Sequence, residues 1–234
     1  MVKSILIICF FWIPLLSFSQ IDDELEEDSA YFEDDFIKDT TSTTHIGFVI
    51  GGISQGVYYK VNTNISEADS LSFDKGKPNV GFMLGLIYDK DLSDRLWLRS
   101  GLFVSVSKLN ITYDYQNSHH NYYFNHSTLE VPFWLNYAFS DLRKGLSWGA
   151  GLKGSLDISK KEDKNDRVFK LNAAELLIGT GPGMRWQLGS GNLINASLGF
   201  NVSVFNLFTD NSNNYNQSID SGRRWQVQLI FGIN

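Results

Sequence analysis

From residue 45 onward, apolar and polar residues alternate with period two in eight successive stretches, and no helical period persists. The pattern predicts strands at about 45–59, 79–90, 95–113, 126–140, 145–158, 171–188, 192–206 and 222–234. Long polar connections (60–78, 114–125, 159–170 and 207–221) alternate with short turns at Asp91–Asp94, Asp141–Lys144 and Gly189–Gly191. Long, short, long, short is the rhythm of an outer-membrane barrel, with long loops outside and tight turns in the periplasm. The predicted fold is all-β, an eight-stranded antiparallel up-and-down transmembrane β-barrel. An even strand count returns both chain ends to one side, so the N-terminus is expected in the periplasm of a Gram-negative bacterium.

The two faces of these strands differ in kind. One carries Leu96, Leu98, Leu102, Val104 and Val106 in the third strand, and Leu129, Val131, Phe133, Leu135, Tyr137 and Phe139 in the fourth. The other is mostly Gly, Ser, Asn and Gln with isolated charges. The apolar faces contain no charged residue, which suits lipid, because a charge on a barrel's lipid face costs up to about 2–4 kcal/mol at the bilayer midplane. Mean hydropathy is only -0.16, as expected when alternate residues face lipid. Aromatics near strand ends (Tyr58, Tyr88, Tyr113, Tyr137, Phe139, Trp148, Trp186, Phe205 and Trp225) are candidates for interfacial girdles.

Composition and charge refine the domain plan. Lys3 followed by an apolar run from Ile5 to Phe18, with small residues at Ser17 and Ser19, reads as a signal peptide over residues 1–19, cleaved before Gln20. The single cysteine, Cys9, lies within it, so the mature chain is expected to make no disulfide. Residues 20–44 form an acidic arm, expected to be disordered: ten acids and one base fall within residues 20–40. Removing those ten acids, together with Lys3 and Lys38, leaves 16 acids and 18 bases for the rest, so the net charge of -6 comes from the arm. Tyr31, Phe32 and Phe36 are its candidate anchors for a basic periplasmic or secretion-system partner. Outer-membrane lipid is the other expected partner, and no nucleic acid is expected.

The fourth predicted strand, Leu129-Glu130-Val131-Pro132-Phe133-Trp134-Leu135-Asn136-Tyr137, resembles the "LEIPLLLKY"-like strand of the PorT-like outer-membrane β-barrel family of Gram-negative bacteria. The signal ending Ser17-Phe18-Ser19-Gln20 is similar to that family too. The resemblance covers residues 45–234 and implies an eight-strand plan. PorT itself is linked to protein secretion by the type IX system, and most members have no assigned role. Where many outer-membrane proteins end in an aromatic residue, here Phe231 is followed by Gly232-Ile233-Asn234.

Eight strands enclose an interior that side chains can fill, so an open channel is not expected. Inward positions include Glu130 and Glu175, with Arg99, Lys153, Arg185 and Arg224 as partners in a lumen ion network, since buried charges must be paired. Pro132 lacks an N–H and is expected at a bulge or a locally unpaired position. His119, His120 and His126 read as exposed histidines around the second long loop; their spacing matches no metal motif. Gly149-Ala150-Gly151-Leu152-Lys153-Gly154 formally matches GxGxxG, but lies inside a strand where a nucleotide site needs a strand–turn–helix. No catalytic, cofactor-binding or metal-binding residue is marked. The expected role is a non-enzymatic structural, adhesion or secretion-accessory barrel. The alternatives are a lipid A-modifying outer-membrane enzyme, with His126 and Ser127 at its rim, and a soluble lipocalin-like periplasmic binder.

Overall fold

The computed structural model describes residues 43–61, 72–74, 78–115, 118–140, 144–160, 169–188, 192–209 and 219–234. The predicted signal peptide, the acidic arm with Tyr31, Phe32 and Phe36, and most of the long connections lie outside the described residues. Eight long strands form: β1 (Thr44–Val61), β3 (Asn79–Ser93), β4 (Leu96–Tyr115), β5 (Ser118–Ala138), β6 (Lys144–Asp157), β7 (Ala174–Gln187), β8 (Leu193–Ser203) and β9 (Ile219–Ile233). A three-residue strand, β2 (Ser72–Asp74), lies in the first long connection and pairs with the end of β4. The sequence pattern is too short there to announce it.

Each long strand pairs antiparallel with its sequence neighbour, and β9 returns to pair with β1 from Phe48↔Ile233 to Val61↔Ile219. The ring is closed, so no sheet edge is left unpaired along the wall. The outer face is apolar and open to the surroundings: Ile46, Phe48, Ile50, Val80, Phe82, Leu84, Phe133, Leu135, Leu152, Phe200, Leu229 and Phe231 are all exposed. Exposed apolar surface on this scale suits lipid and not water. Of the predicted girdle residues, Tyr113 does not belong, since it is buried inside the barrel mouth.

The largest departure from the predicted elements is at the second long connection. Residues 114–115 and 118–125 are strand and not loop; β4 runs to Tyr115 and β5 starts at Ser118, paired as far as Tyr115↔Ser118. β8, with 11 residues, is about 36 Å long, or about 26 Å tall at the usual strand tilt, which matches the lipid band. β5 has 21 residues and is about 70 Å long, so the β4–β5 hairpin stands well clear of the wall. Smaller differences are that β7 begins at Ala174 and β8 ends at Ser203. Residues 204–209 stay paired beyond β8, with Val204 N–H donating to Leu176 O, Leu207 N–H to Gly222 O, and Phe208 bridging to Leu171.

Two prolines interrupt the wall. The β4–β5 ladder passes from Ser100↔Phe133 to Phe103↔Glu130, skipping the rungs at Pro132. The β7–β8 ladder passes from Thr180↔Phe200 to Gly183↔Ser197, skipping those at Pro182. Pro132 and Pro182 stay in register with β6, so each gap lies on the side facing away from β6. The cause is the missing proline N–H.

Candidate functional site

Inward side chains of the barrel sort into layers. At the short-turn end Asp89, fully buried, accepts a two-pronged pair from Arg99: Nε to Oδ1 at 2.8 Å and Nη2 to Oδ2 at 2.8 Å. Arg185 reaches across from β7, with Nη2 3.7 Å from Asp89 Oδ2 and Nη1 donating to Asp91 Oδ1 at 3.1 Å. Its guanidinium carbon lies 4.9 Å from the Trp97 ring centroid, a cation–π contact. Asn234 Nδ2 also donates to Asp89 Oδ2 at 2.9 Å, tying the last strand to β3. Above this layer Val49, Ile53, Met83, Ile87 and Phe103 form an apolar collar.

The second polar layer is built around Glu130. Its carboxylate accepts from Lys153 Nζ at 3.0 Å, Gln226 Nε2 at 3.1 Å, Gln228 Nε2 at 3.1 Å, Thr128 Oγ1 at 3.1 Å and Ser105 Oγ at 3.3 Å. Lys153 also donates to Gln226 Oε1. Beside it Arg224 Nε lies 2.9 Å from Glu175 Oε2, and Nη2 donates to Ser155 Oγ at 3.0 Å. Arg224 Nη1 sits 3.3 Å from His126 Nδ1. A guanidinium only donates, so that ring nitrogen is the acceptor.

The six predicted network residues therefore do not share one network. Arg99 and Arg185 meet over Asp89, while Glu130–Lys153 and Glu175–Arg224 lie in the layer above the collar. Asp89 and Asp91 were missing from the sequence reading. The signal was present: Met83, Gly85, Ile87 and Asp89 continue the inward parity of β3. Among the described residues, four inward cations (Arg99, Lys153, Arg185, Arg224) are paired with four carboxylates (Asp89, Asp91, Glu130, Glu175).

His126 is not an exposed loop histidine. It lies in β5, 2 % exposed, and faces the lumen. The adjacent Ser127 projects to the opposite face of the strand, so the two side chains cannot act together on one bond. His119 and His120 are exposed as expected, but on the β4–β5 hairpin: His119 Nδ1 lies 2.7 Å from Asp114 Oδ1, and the His120 ring stacks on Tyr113 at 5.1 Å. Among the described residues no cluster of three or more His, Cys, Asp or Glu is arranged to hold a metal.

An aromatic cap closes the long-loop end. Val57, Leu109, Ile111, Tyr113, Phe124, Phe169, Leu207, Phe208 and Ile219 form one buried cluster. Phe169 is its hub, edge-on to Tyr113 at 5.7 Å and to Phe208 at 6.0 Å. Two asparagines fix the strand connections that carry these rings. Asn172 Nδ2 donates to the carbonyls of Asn206 and Phe208 at 2.8 and 3.2 Å, and Asn206 Oδ1 accepts from the Gly222 and Phe208 N–H groups at 2.8 and 3.2 Å. A Cβ at Gly222 would collide with the Phe208 ring, so this glycine makes the cap's close approach to β9 feasible.

A match to a family of known proteins agrees with this architecture. The family described as outer membrane protein beta-barrel domain matches residues 38–234. Among solved structures, the outer membrane protein OprG from Pseudomonas aeruginosa is similar over 80% of this chain and 94% of its own, at 12% identity and a TM-score of 0.43. A Pseudomonas aeruginosa FadL homologue is similar over 81% of this chain and 48% of its own, at 16% identity and a TM-score of 0.26. No curated protein matches the sequence. With its closed ring of eight long strands, its apolar outer face and a family match over most of its length, the chain belongs to the outer membrane protein beta-barrel domain family and resides in the Gram-negative outer membrane.

Proposed function

We propose that this protein is a sealed, non-enzymatic barrel that works as an anchored scaffold, structural, adhesive or secretion-accessory, and does not conduct solutes. One observation carries the reading: two layers of paired charges, the collar between them and the aromatic cap follow one another through the lumen. A molecule that cannot pass material through itself acts at its ends. The long-loop end offers a rigid paired hairpin whose outward side carries Asn121, Tyr123 and Asn125, all exposed. At the other end the acidic arm, with Tyr31, Phe32 and Phe36, would present a periplasmic docking peptide. Among these roles, a PorT-like part in type IX secretion is supported by the Leu129–Tyr137 resemblance.

Planar-bilayer recording on the refolded barrel tests the reading. No conductance above that of the empty bilayer is expected; stepwise open currents would overturn it. Capture of envelope proteins by the full chain, compared with a chain lacking residues 21–40, tests the docking arm. Equal capture would remove the arm from the scheme.

A further inference from the structure

Antiparallel pairing turns the backbone groups of successive residues to opposite edges of a strand. Along β5 the wall fixes which residues face which way: Ala138 N–H donates to the Arg95 carbonyl on β4, and Phe139 N–H to the Leu146 carbonyl on the β6 side. Even-numbered residues therefore face β4 and odd-numbered ones face β6. The β4–β5 register keeps one offset from Leu96↔Tyr137 to Tyr115↔Ser118, so the sorting persists to the hairpin tip. β6, however, leaves the ladder at Thr128↔Asp157. Just above, Ile158 N–H donates to the Ser127 carbonyl, and Ser159 Oγ donates to the Asn125 carbonyl at 3.4 Å. Beyond Asn125 the odd-numbered residues His119, Asn121 and Tyr123 are exposed, and among the described residues nothing pairs with their backbone groups on that edge.

Proteins protect free strand edges with lysine, proline, a bulge or early termination. This edge has none of these. Ser118-His119-His120-Asn121-Tyr122-Tyr123-Phe124 is rich in aromatics and contains no proline, acid, lysine or arginine, and its ladder with β4 has no bulge. It is about 24 Å long. The opposite edge of the hairpin is already taken, by β2 against Thr112–Asp114. We propose that the β5 edge from His119 to Tyr123 is a strand-addition site, which takes an extended segment of another polypeptide and continues the ladder where β6 ends. The pleat dictates the chemistry of that segment. Its inward side chains would meet Tyr122, which packs on Phe124 and Phe169 with ring centroids at 5.7 and 6.2 Å. Its outward ones would lie beside Asn121 and Tyr123, so apolar and polar residues must alternate. A second copy in the same membrane does not fit. Antiparallel pairing of two identical edges needs a two-fold axis perpendicular to the sheet, which inverts one barrel relative to the bilayer. Strand addition here rests on the reading that the molecule acts at its ends, and it names what the long-loop end takes.

Amide hydrogen exchange, read by NMR on the full chain refolded in lipid nanodiscs, tests the site. The probe is a soluble peptide of alternating threonine and valine with lysine at both ends. Without peptide, the amides of His120, Tyr122 and Phe124 should exchange slowly and those of His119, Asn121 and Tyr123 fast. At millimolar peptide the odd-numbered set should slow about tenfold while the even-numbered set is unchanged. Odd-numbered amides already protected without peptide, no slowing with it, or equal slowing of both sets overturns the site. Tyr123→Pro removes one edge N–H and no hydrogen bond to β4, so it should abolish the slowing while heat-modifiable migration is kept; retained slowing counts against the site. Should that chain not fold, Tyr123→Lys places a charge on the same edge and is read in the same way. Clustering of protein-bearing vesicles without peptide would give the edge to a second copy in a facing membrane and overturn the assignment. If these tests fail while the bilayer recording shows no conductance, the sealed scaffold stands without this dock.

Discussion

Along β4 and β5 the chain passes through two regions with opposite polarity. Within the wall, Leu102, Val104, Val106, Phe133 and Leu135 point outward while Arg99, Ser105 and Glu130 are buried inside. Beyond Lys108 the assignment inverts. Lys108, Asp114, Asn121 and Asn125 lie on the outer side, where Asn110 and Thr112 are covered, and Leu109, Ile111, Tyr113 and Phe124 pack inside. The same pleat and the same pairing continue through both. What changes is the solvent: lipid rewards apolar residues outside, so the polar ones must satisfy each other in the lumen. Water above the bilayer restores the ordinary arrangement, and the hairpin with Phe169 and Phe208 becomes a small water-soluble core mounted on a membrane barrel.

That contrast can be broken at either region. The largest effect is expected at Glu130. Glu130→Gln leaves Lys153 buried without its counter-charge, which costs about 3–5 kcal/mol, read as a fall in the urea midpoint of the vesicle-refolded barrel. Glu130→Gln with Lys153→Met should recover most of it, and failure to recover would show that Glu130 acts mainly through Gln226, Gln228 and Thr128. Next, Phe169→Ala removes the hub of the cap and should cost about 3 kcal/mol, confined to the cap. Proteolysis near residues 169–209 should accelerate while heat-modifiable gel migration stays unchanged; loss of the barrel band would mean that the two regions fold as one.

The boundary itself is sharpened by charge placed on the outer side. Leu84→Arg, amid exposed Ile50 and Leu86, should destabilise by about 2 kcal/mol, whereas Asn121→Arg on the hairpin should be silent. Equal penalties would place the hairpin in lipid. Smallest is Lys60→Gln, which removes an exposed pair with Asp220 at 2.7 Å. Its unfolding midpoint should lie within error of the unaltered chain.

The alternating pattern by itself determined the strand count, the up-and-down order, the lipid-facing residues and the unpaired rung at Pro132, because period two is a local property that a lipid–lumen boundary makes strict. The same signal carries β4 as far as Tyr113, since Leu109, Ile111 and Tyr113 continue its inward parity, but it does not reach the rest of the hairpin. The run Asn121-Tyr122-Tyr123-Phe124-Asn125 obscured it by placing aromatics on both faces. Tertiary structure alone decided which inward charges meet. Strand stagger around the ring sets the height of each residue, and no single strand encodes that stagger. It puts Arg99 and Arg185 level with Asp89, one layer below Glu130 and Lys153, and it brings Phe169 and Phe208 together in one buried cluster. Contacts that span so much of the chain depend on closure of the whole ring, which is a property of eight strands together.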